Sequence, residues 1–295
     1  MKPSGVMRFQ GTGVVLLNWR DEARTAECVG RLLTLFQPEQ IVAVDNESIG
    51  KLCTHLEGTG VTVVNLEENR GFAGGVNAGI ELCLERGFDY VLAINADTQP
   101  SLDGLHPLFE DQEWGPTVAA VGPVVHDTGG TVQSAGSRVR PLTMGIREHR
   151  VSLSSNRVDF LTWACVLVKA STFEKIGLLD ERFFMYWEDV EFGLRIRRAG
   201  LSCRVVPTAT VVHAGSVSHH QVGGARIDRY QALGTVVIAR VLRRTWLLGA
   251  VVRLTARVLR RLVAGRLEAA GEVARGARLG LRVRGAAWAM AEVTR

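Results

Sequence analysis

Runs of consecutive apolar residues alternate with helical spacing over the first 125 positions. Gly13–Trp19 (GVVLLNW) reads as a buried strand. Over Asp21–Phe36, Ala26, Val29, Leu32, Leu33 and Phe36 fall on one side, which predicts an amphipathic helix with Asp21 near its start. Ile41–Val44 and Val61–Val64 read as a second and third strand. A Gly-rich turn at Arg70–Gly75 opens a helix to about Arg86, Tyr90–Ile94 is a fourth strand, and Val118–Val125 is a fifth. Apolar strands separated by helices predict a mainly parallel, Rossmann-like α/β sheet buried on both faces. Such a sheet binds ligands at the carboxyl ends of its strands. Asp45, Asn46, Asn95 and Asp97 all fall there.

The pattern weakens over 126–157, where Gly129, Gly130, Gly136 and Gly145 suggest a connection with hairpins. Phe160–Val168 is again strand-like. Phe183–Trp187 precedes a helix that starts near Glu188-Asp189, runs to about Arg198 and is closed by Gly200. Ser202–Val206 and Thr210–Val212 read as short strands, the second ending at His213. After about 225 the chain reads as Ala-, Leu- and Arg-rich helix.

Charge divides the chain at about residue 220. The whole carries 35 Lys and Arg against 30 Asp and Glu, a net of +5. Residues 221–295 hold fifteen Arg against Asp228, Glu268, Glu272 and Glu292, or +11, so residues 1–220 net −6. An acidic body with a basic tail suggests an anionic partner for the tail. Five scattered Cys without a C-x-x-C pair argue against a disulfide framework and fit a reducing cytosol. Met1–Gln10 has no apolar run of the secretory kind. No stretch reaches the roughly 18–20 apolar residues of a membrane span; Thr245–Val252 gives eight between arginines.

Several residues are placed for chemistry. Asp97, after a strand, suits a hard divalent cation, although Asn-Ala-Asp is also a common turn. Asp45-Asn46 could accept hydrogen bonds from a nucleobase or ribose, or simply form a turn. Asn69–Gly79 is Gly-rich at a helix start, which suits an anion. Its glycines (71, 74, 75, 79) do not follow the G-x-G-x-x-G dinucleotide spacing, and the segment follows the third strand rather than the first. Glu188-Asp189, at a helix N-terminus behind aromatics, is the best candidate base. Glu191 with Arg195 reads as an i,i+4 ion pair. The pair His219-His220 reads as a solvated loop.

In order and spacing these segments resemble glycosyltransferase family 2, with the GT-A fold, and its rhamnosyltransferase-like branch. The matching pieces are Asp45-Asn46-Glu47-Ser48, Asn69–Asn77, Asn95-Ala96-Asp97, Gly177–Asp189 and the strand-end His213, with Val132–Gly136 similar as well. The resemblance spans roughly 12–220. It implies a GT-A catalytic domain over 1–220, with a nucleotide-sugar half (about 12–125) and an acceptor half (about 126–220), then a helical extension over 221–295. It implies inverting transfer from a dTDP- or UDP-linked sugar to a glycan, lipid-linked or small-molecule acceptor. By the same resemblance, Asp45, Asn46, Asn69, Gly71, Phe72, Gly74, Gly75, Asn77 and Asn95 bind the sugar nucleotide. Asp97 and His213 hold Mg²⁺ or Mn²⁺, Asp189 is the base, and Glu188 flanks it. Trp163, where the family has a small residue, Tyr186 and Trp187 would shape the acceptor pocket.

Two competing classes are a sugar nucleotidyltransferase and a non-catalytic adaptor acting through the tail. The first needs a Gly-rich phosphate loop after the first strand, where Asn18-Trp19-Arg20-Asp21 has no Gly. In the tail, Arg240, Arg243 and Arg244 lie on one helical face. Arg253, Arg257, Arg260 and Arg261 lie about 110° away, with Gly249 as a potential break between two helices. That pattern suits a helix on an anionic membrane with its arginines toward the headgroups, at the inner face of the cell membrane. Packing on the body or on a second subunit is the alternative. Nucleic acid is disfavoured, because no aromatic-interleaved RNA motif accompanies the arginines.

Overall fold

The computed structural model describes residues 9–46, 51–110, 114–140, 143–148, 157–215, 224–242 and 244–284. Glu47-Ser48, His219-His220 and Arg243 lie outside these. The element order is β1 (Thr12–Asn18), α1 (Glu22–Leu32), β2 (Ile41–Asp45), α2 (Lys51–His55), β3 (Thr62–Asn65), α3 (Gly71–Glu85), β4 (Tyr90–Asn95) and β5 (Thr98–Gln99). There follow α4 (Leu102–Leu105), β6 (Val118–His126), β7 (Val132–Ser134), β8 (Ser137–Arg140), β9 (Gly145–Glu148), β10 (Arg157–Val158) and β11 (Cys165–Lys169). The chain continues with α5 (Ala170–Ile176), α6 (Glu188–Arg198), β12 (Ser202–His213) and three tail helices, α7 (Gly224–Leu242), α8 (Arg244–Val263) and α9 (Leu267–Arg282).

Eight strands form a continuous sheet in the order β10-β12-β6-β11-β4-β1-β2-β3. Strands β4, β1, β2 and β3 are mutually parallel. β11 runs antiparallel to both its neighbours, β4 and β6, and β12 is parallel to β6. His213 therefore ends on the same sheet edge as Asn18, Asp45 and Asn95. The alternation of side chains explains the apolar runs. Val14, Leu16, Leu92 and Ile94 enter one core, with α1. Val15, Val42, Val91 and Ala93 enter the other, with α3, α5 and α6. Both faces are covered, as a parallel sheet requires.

Three expectations shift. Phe160–Ala164 is not strand; regular pairing begins only at Cys165. The two short strands after Gly200 are one strand, with an irregularity between Val206 and Thr210. Gly249 does not break the tail, because α8 runs through it. The 126–157 region does contain a hairpin, β8–β9. Gly200 ends α6 as expected, at φ +77°.

The tail packs on the body through a third core. Phe183, Phe184, Trp187, Val190 and Leu194 meet Tyr230, Leu233, Val237, Trp246 and Ala250 there. Of the α8 arginines, Arg253 points into this contact, and Arg257 and Arg261 turn toward α7. Arg257 and Arg261 both pair with Asp228, at 2.5 and 2.9 Å. Arg229 and Arg275 share Glu272, joining α7 to α9. Arg240 donates to the carbonyls of Gly280 and Val283, at the end of α9, where a cation offsets the helix dipole. Gly276 permits the closest approach: a Cβ there would sit 2.1 Å from the Arg229 carbonyl oxygen.

Asp228 is 1% exposed. Removing one partner of a buried ion pair leaves the others uncompensated, at a cost of about 3–5 kcal/mol. Asp228→Ala is therefore expected to destabilise by that order, measured as a drop in the urea unfolding midpoint. A change below about 1 kcal/mol, the range of exposed pairs, would show that Asp228 does not hold α8.

Candidate functional site

Four groups of side chains meet at the carboxyl edge of the sheet. The first is centred on Asp45, the last residue of β2. The Asn18 amide donates to its Oδ1 at 2.8 Å, while the Asn18 oxygen accepts from Thr25. Asp45 is buried and held in place.

The second group is the Gly-rich turn, and Asn46 shapes it. Asn46 Nδ2 donates to Asn69 Oδ1 and to the Gly71 carbonyl, both at 3.0 Å. Its Oδ1 accepts from the Arg70 backbone at 2.8 Å. Asn69 Oδ1 also accepts from Gly71 N–H. Gly71 is left-handed at φ +71°, and a Cβ there would lie 2.4 Å from the Phe184 carbonyl oxygen. The next amide, of Phe72, donates to that carbonyl at 2.7 Å. Phe72 is half-buried beside it. Gly74 and Gly75 sit in the first turn of α3, against Arg70 and Leu17. Asn77 exchanges two hydrogen bonds with the Leu179 backbone and one with Glu181, which also pairs with Arg70. Asn46 and Asn77 thus use their side chains inside the protein, to seat the turn and the loop leading to α6.

The third group is Asp97, His213 and Asn95. His213 Nε2 lies 3.0 Å from Asp97 Oδ1 and 3.4 Å from the Asn95 amide nitrogen. Sequence reasoning missed the residue that orients them. Gln133 donates through Nε2 to the carbonyl of His213 at 3.0 Å, and its Oε1 lies 2.9 Å from His213 Nδ1. The first contact fixes which end of the amide is the acceptor, so Nδ1 carries a hydrogen. In the neutral ring the Nε2 lone pair then faces Asp97 and accepts from Asn95. A lone pair and a carboxylate oxygen at 3.0 Å repel unless positive charge lies between them. Burial pushes the Asp97 carboxyl up, but the hydrogen bond and charge of a protonated His213 outweigh it and hold the carboxyl below the usual range. A divalent cation would serve the same electrostatic role. A carboxylate beside an imidazole whose other nitrogen is tied down is a fitting donor set for Mn²⁺ or Mg²⁺. Among the described residues no cluster of three or more His, Cys, Asp or Glu exists. A cation here would complete its shell with water and substrate phosphate oxygens.

The fourth group starts α6. Tyr186 and Trp187 are consecutive left-handed residues, at φ 70° and 77°, a conformation costing each about 1–3 kcal/mol outside glycine. That kink sets the direction of Glu188 and Asp189. Glu188 is buried and its Oε2 has no hydrogen-bond partner. Burial first, and the neighbouring Asp189 charge second, push its carboxyl well above the usual range. Two adjacent carboxyls thus sit in unlike environments: Glu188 is buried and disfavoured as an anion, while Asp189 is half-buried.

Two expected acceptor-pocket residues lie elsewhere. Trp163, 4% exposed, packs edge-on against Phe192 in the core under α6, so it presents no face to an acceptor. Trp187 is covered by the tail, with the Arg253 guanidinium 4.9 Å above its ring. Tyr186 remains half-buried at the kink.

The family described as glycosyl transferase family 2 matches residues 14–177. The match spans β1 through α5, more than half of the chain, and the chain belongs to this family. Its sheet and flanking helices form the GT-A fold. The chain is 31% identical over 143 residues to the N-acetylglucosaminyl-diphospho-decaprenol L-rhamnosyltransferase of Mycobacterium tuberculosis, covering 42% of this chain and 47% of that one. It is 25% identical over 181 residues to the dTDP-rhamnosyl transferase RfbF of Shigella flexneri, covering 59% of each. The chain thus spans about half to three fifths of the length of these curated relatives. Among solved structures it resembles the mannosyltransferase PcManGT of Pyrobaculum calidifontis in complex with GDP-Man and Mn²⁺. That likeness has a TM-score of 0.53 at 17% identity, covering 96% of this chain and 84% of the other.

Two predictions follow from this geometry. Gln133→Leu frees the His213 ring, and losing such a second ligand-orienting contact typically costs about 10–100-fold in metal affinity. Mn²⁺ titration by electron paramagnetic resonance, in the presence of nucleotide, reads this directly; unchanged affinity would mean that Gln133 does not set the tautomer. The second concerns Glu188. A carboxyl with a raised folded pKa contributes stability below its unfolded pKa of about 4.3. That contribution is lost as pH rises through the folded pKa. Glu188→Gln should therefore be more stable than the parent in urea at pH 8 and equal to it at pH 4. Equal midpoints at both pH values would mean that Glu188 ionises freely.

Proposed function

We propose that this protein is an inverting, metal-dependent glycosyltransferase. It would move a sugar from a nucleoside diphosphate to an acceptor hydroxyl in cell-envelope glycan biosynthesis. The observation that carries this reading is the backbone contact between Phe72 and Phe184, which brings the base-bearing loop against the strand ends that hold Asp45 and Asp97. Asp45 is placed to accept from the nucleobase, and Asn69 and Gly71 border the same edge. Asp97 and His213 would hold Mg²⁺ or Mn²⁺, which supplies Lewis-acid stabilisation of the departing diphosphate. Asp189 takes the proton of the acceptor hydroxyl, and the burial of Glu188 beside it disfavours a second negative charge there. One base suffices for a single displacement, which inverts the anomeric centre. Burial pushes the Cys28 thiol, near Thr98, up to about 12, so it offers no thiolate for a covalent intermediate.

Rhamnose from a dTDP donor is the leading substrate, supported by the names of the relatives above. A lipid-linked acceptor is supported in the same way. The free cysteines, four of five buried, agree with a cytoplasmic setting. A nucleotidyltransferase is disfavoured because the Asn18–Asp21 turn spends the Asn18 side chain on Asp45 and Thr25.

Asp189→Asn should lower transfer by about 10²–10⁴-fold, the worth of a general base, while calorimetric Kd values for UDP or dTDP with Mn²⁺ stay within a few-fold of the parent. Full activity in this variant would remove Asp189 from the mechanism. Absence of nucleotide binding in the parent under any condition would favour the adaptor reading.

A further inference from the structure

Helix α8 is amphipathic in the reverse of the usual sense. Trp246, Ala250, Arg253, Arg257 and Arg261 face inward, where Arg253 meets the Met144 carbonyl and Trp187 of the body and Arg257 and Arg261 meet Asp228 of α7. The opposite face carries Leu248, Val251, Val252, Leu259, Leu262 and Val263, at the i, i+3, i+4 spacing of one helical stripe. These side chains are exposed: Leu248 62%, Val251 61% and Val263 90%. Leu267, at the start of α9, extends the stripe. A contiguous apolar ridge of this kind on a folded protein marks an interaction surface.

The charges exposed on the tail decide the partner. Arg260, Arg266, Arg278 and Arg282 are exposed on α8, α9 and the turn between them. Of the acids in the described tail, Asp228 and Glu272 are buried in ion pairs, which leaves Glu268 as the exposed one. A second copy of this chain would bring arginines against arginines. An anionic lipid surface meets both features, with acyl chains for the ridge and phosphates for the arginines. No helix among the described residues is long and apolar enough to cross a membrane, so the ridge would lie in the plane of one leaflet.

We propose that the outward face of α8 is a membrane-docking surface that seats the protein on an anionic leaflet, ridge inward. Arg253 ties the same helix to Trp187, which caps the helix carrying Asp189. The bilayer would then sit at a fixed distance from the base.

The test uses the full chain and vesicles of phosphatidylcholine, alone or with phosphatidylglycerol. The parent should sediment with the phosphatidylglycerol vesicles, several-fold less with phosphatidylcholine alone, and less as salt rises. The triple variant Leu248→Asp, Val251→Asp, Leu259→Asp should lose at least tenfold in vesicle affinity. Its circular dichroism and its titration with UDP or dTDP should match the parent, because these side chains are exposed and remote from the nucleotide groups. Failure of the parent to sediment, or equal sedimentation of the variant, would overturn the proposal. A parent dimer in light scattering that the variant converts to monomer would assign the ridge to a second copy instead. Nucleotide binding is read separately, so either failure leaves the enzymatic reading untouched.

Discussion

The site depends on one backbone hydrogen bond, from the Phe72 amide to the Phe184 carbonyl. It can form only because position 71 lacks a side chain. Through it the turn after β3 touches the loop before α6, although more than a hundred residues separate them. Asn46 makes the turn rigid from one side, and Asn77 with Glu181 fixes the loop from the other. The strained pair Tyr186-Trp187 can then be held, because both ends of its loop are anchored. Backbone strain persists where the surroundings over-determine it, and here they do so immediately before the carboxylate that would act on substrate.

Most of the sheet was legible because fully buried strands are continuous apolar runs, and β1, β2 and β4 contain little else. Two of their ends were legible too, since Asp45 and Asn95 stop those runs with polar residues, whereas the first run was carried one residue past Asn18. Gln133 was not legible as a partner of His213. The two are 80 positions apart and meet only because β7 and β12 both pair with β6. The direction of Trp163 was equally hidden. Its neighbours read as a strand, and only the position of Phe192 on α6 turns the ring into the core. The motif residues gather at one edge of the sheet, but the motifs do not tell side chains turned outward from those that build the frame. Asn46 and Asn77 belong to the frame.

The tail shows the same limit in charge. A count of arginines gives the sign of a segment but not the direction in which its charges point. Asp228 is a single acid among fifteen arginines, yet its burial turns Arg257 and Arg261 of α8 inward. A buried carboxylate attracts cations far more strongly than an exposed one. One acid thus outweighs the preference of Arg257 and Arg261 for water. The apolar side chains, which the pattern alone would place against the body, are left outside.

The covering of Trp187 bears on how the chain can be divided. Charge changes sign near residue 220, which invites a cut there. Mechanically the chain has no seam at that point. Phe184, Trp187, Val190 and Leu194 share their packing with Tyr230, Leu233, Val237 and Trp246. A fragment ending before Gly224 would present those four side chains to water directly beside Glu188 and Asp189. It would trade an apolar ridge on the outside of the tail for a bare core next to Asp189, so the smallest stable unit for protein engineering includes the tail helices.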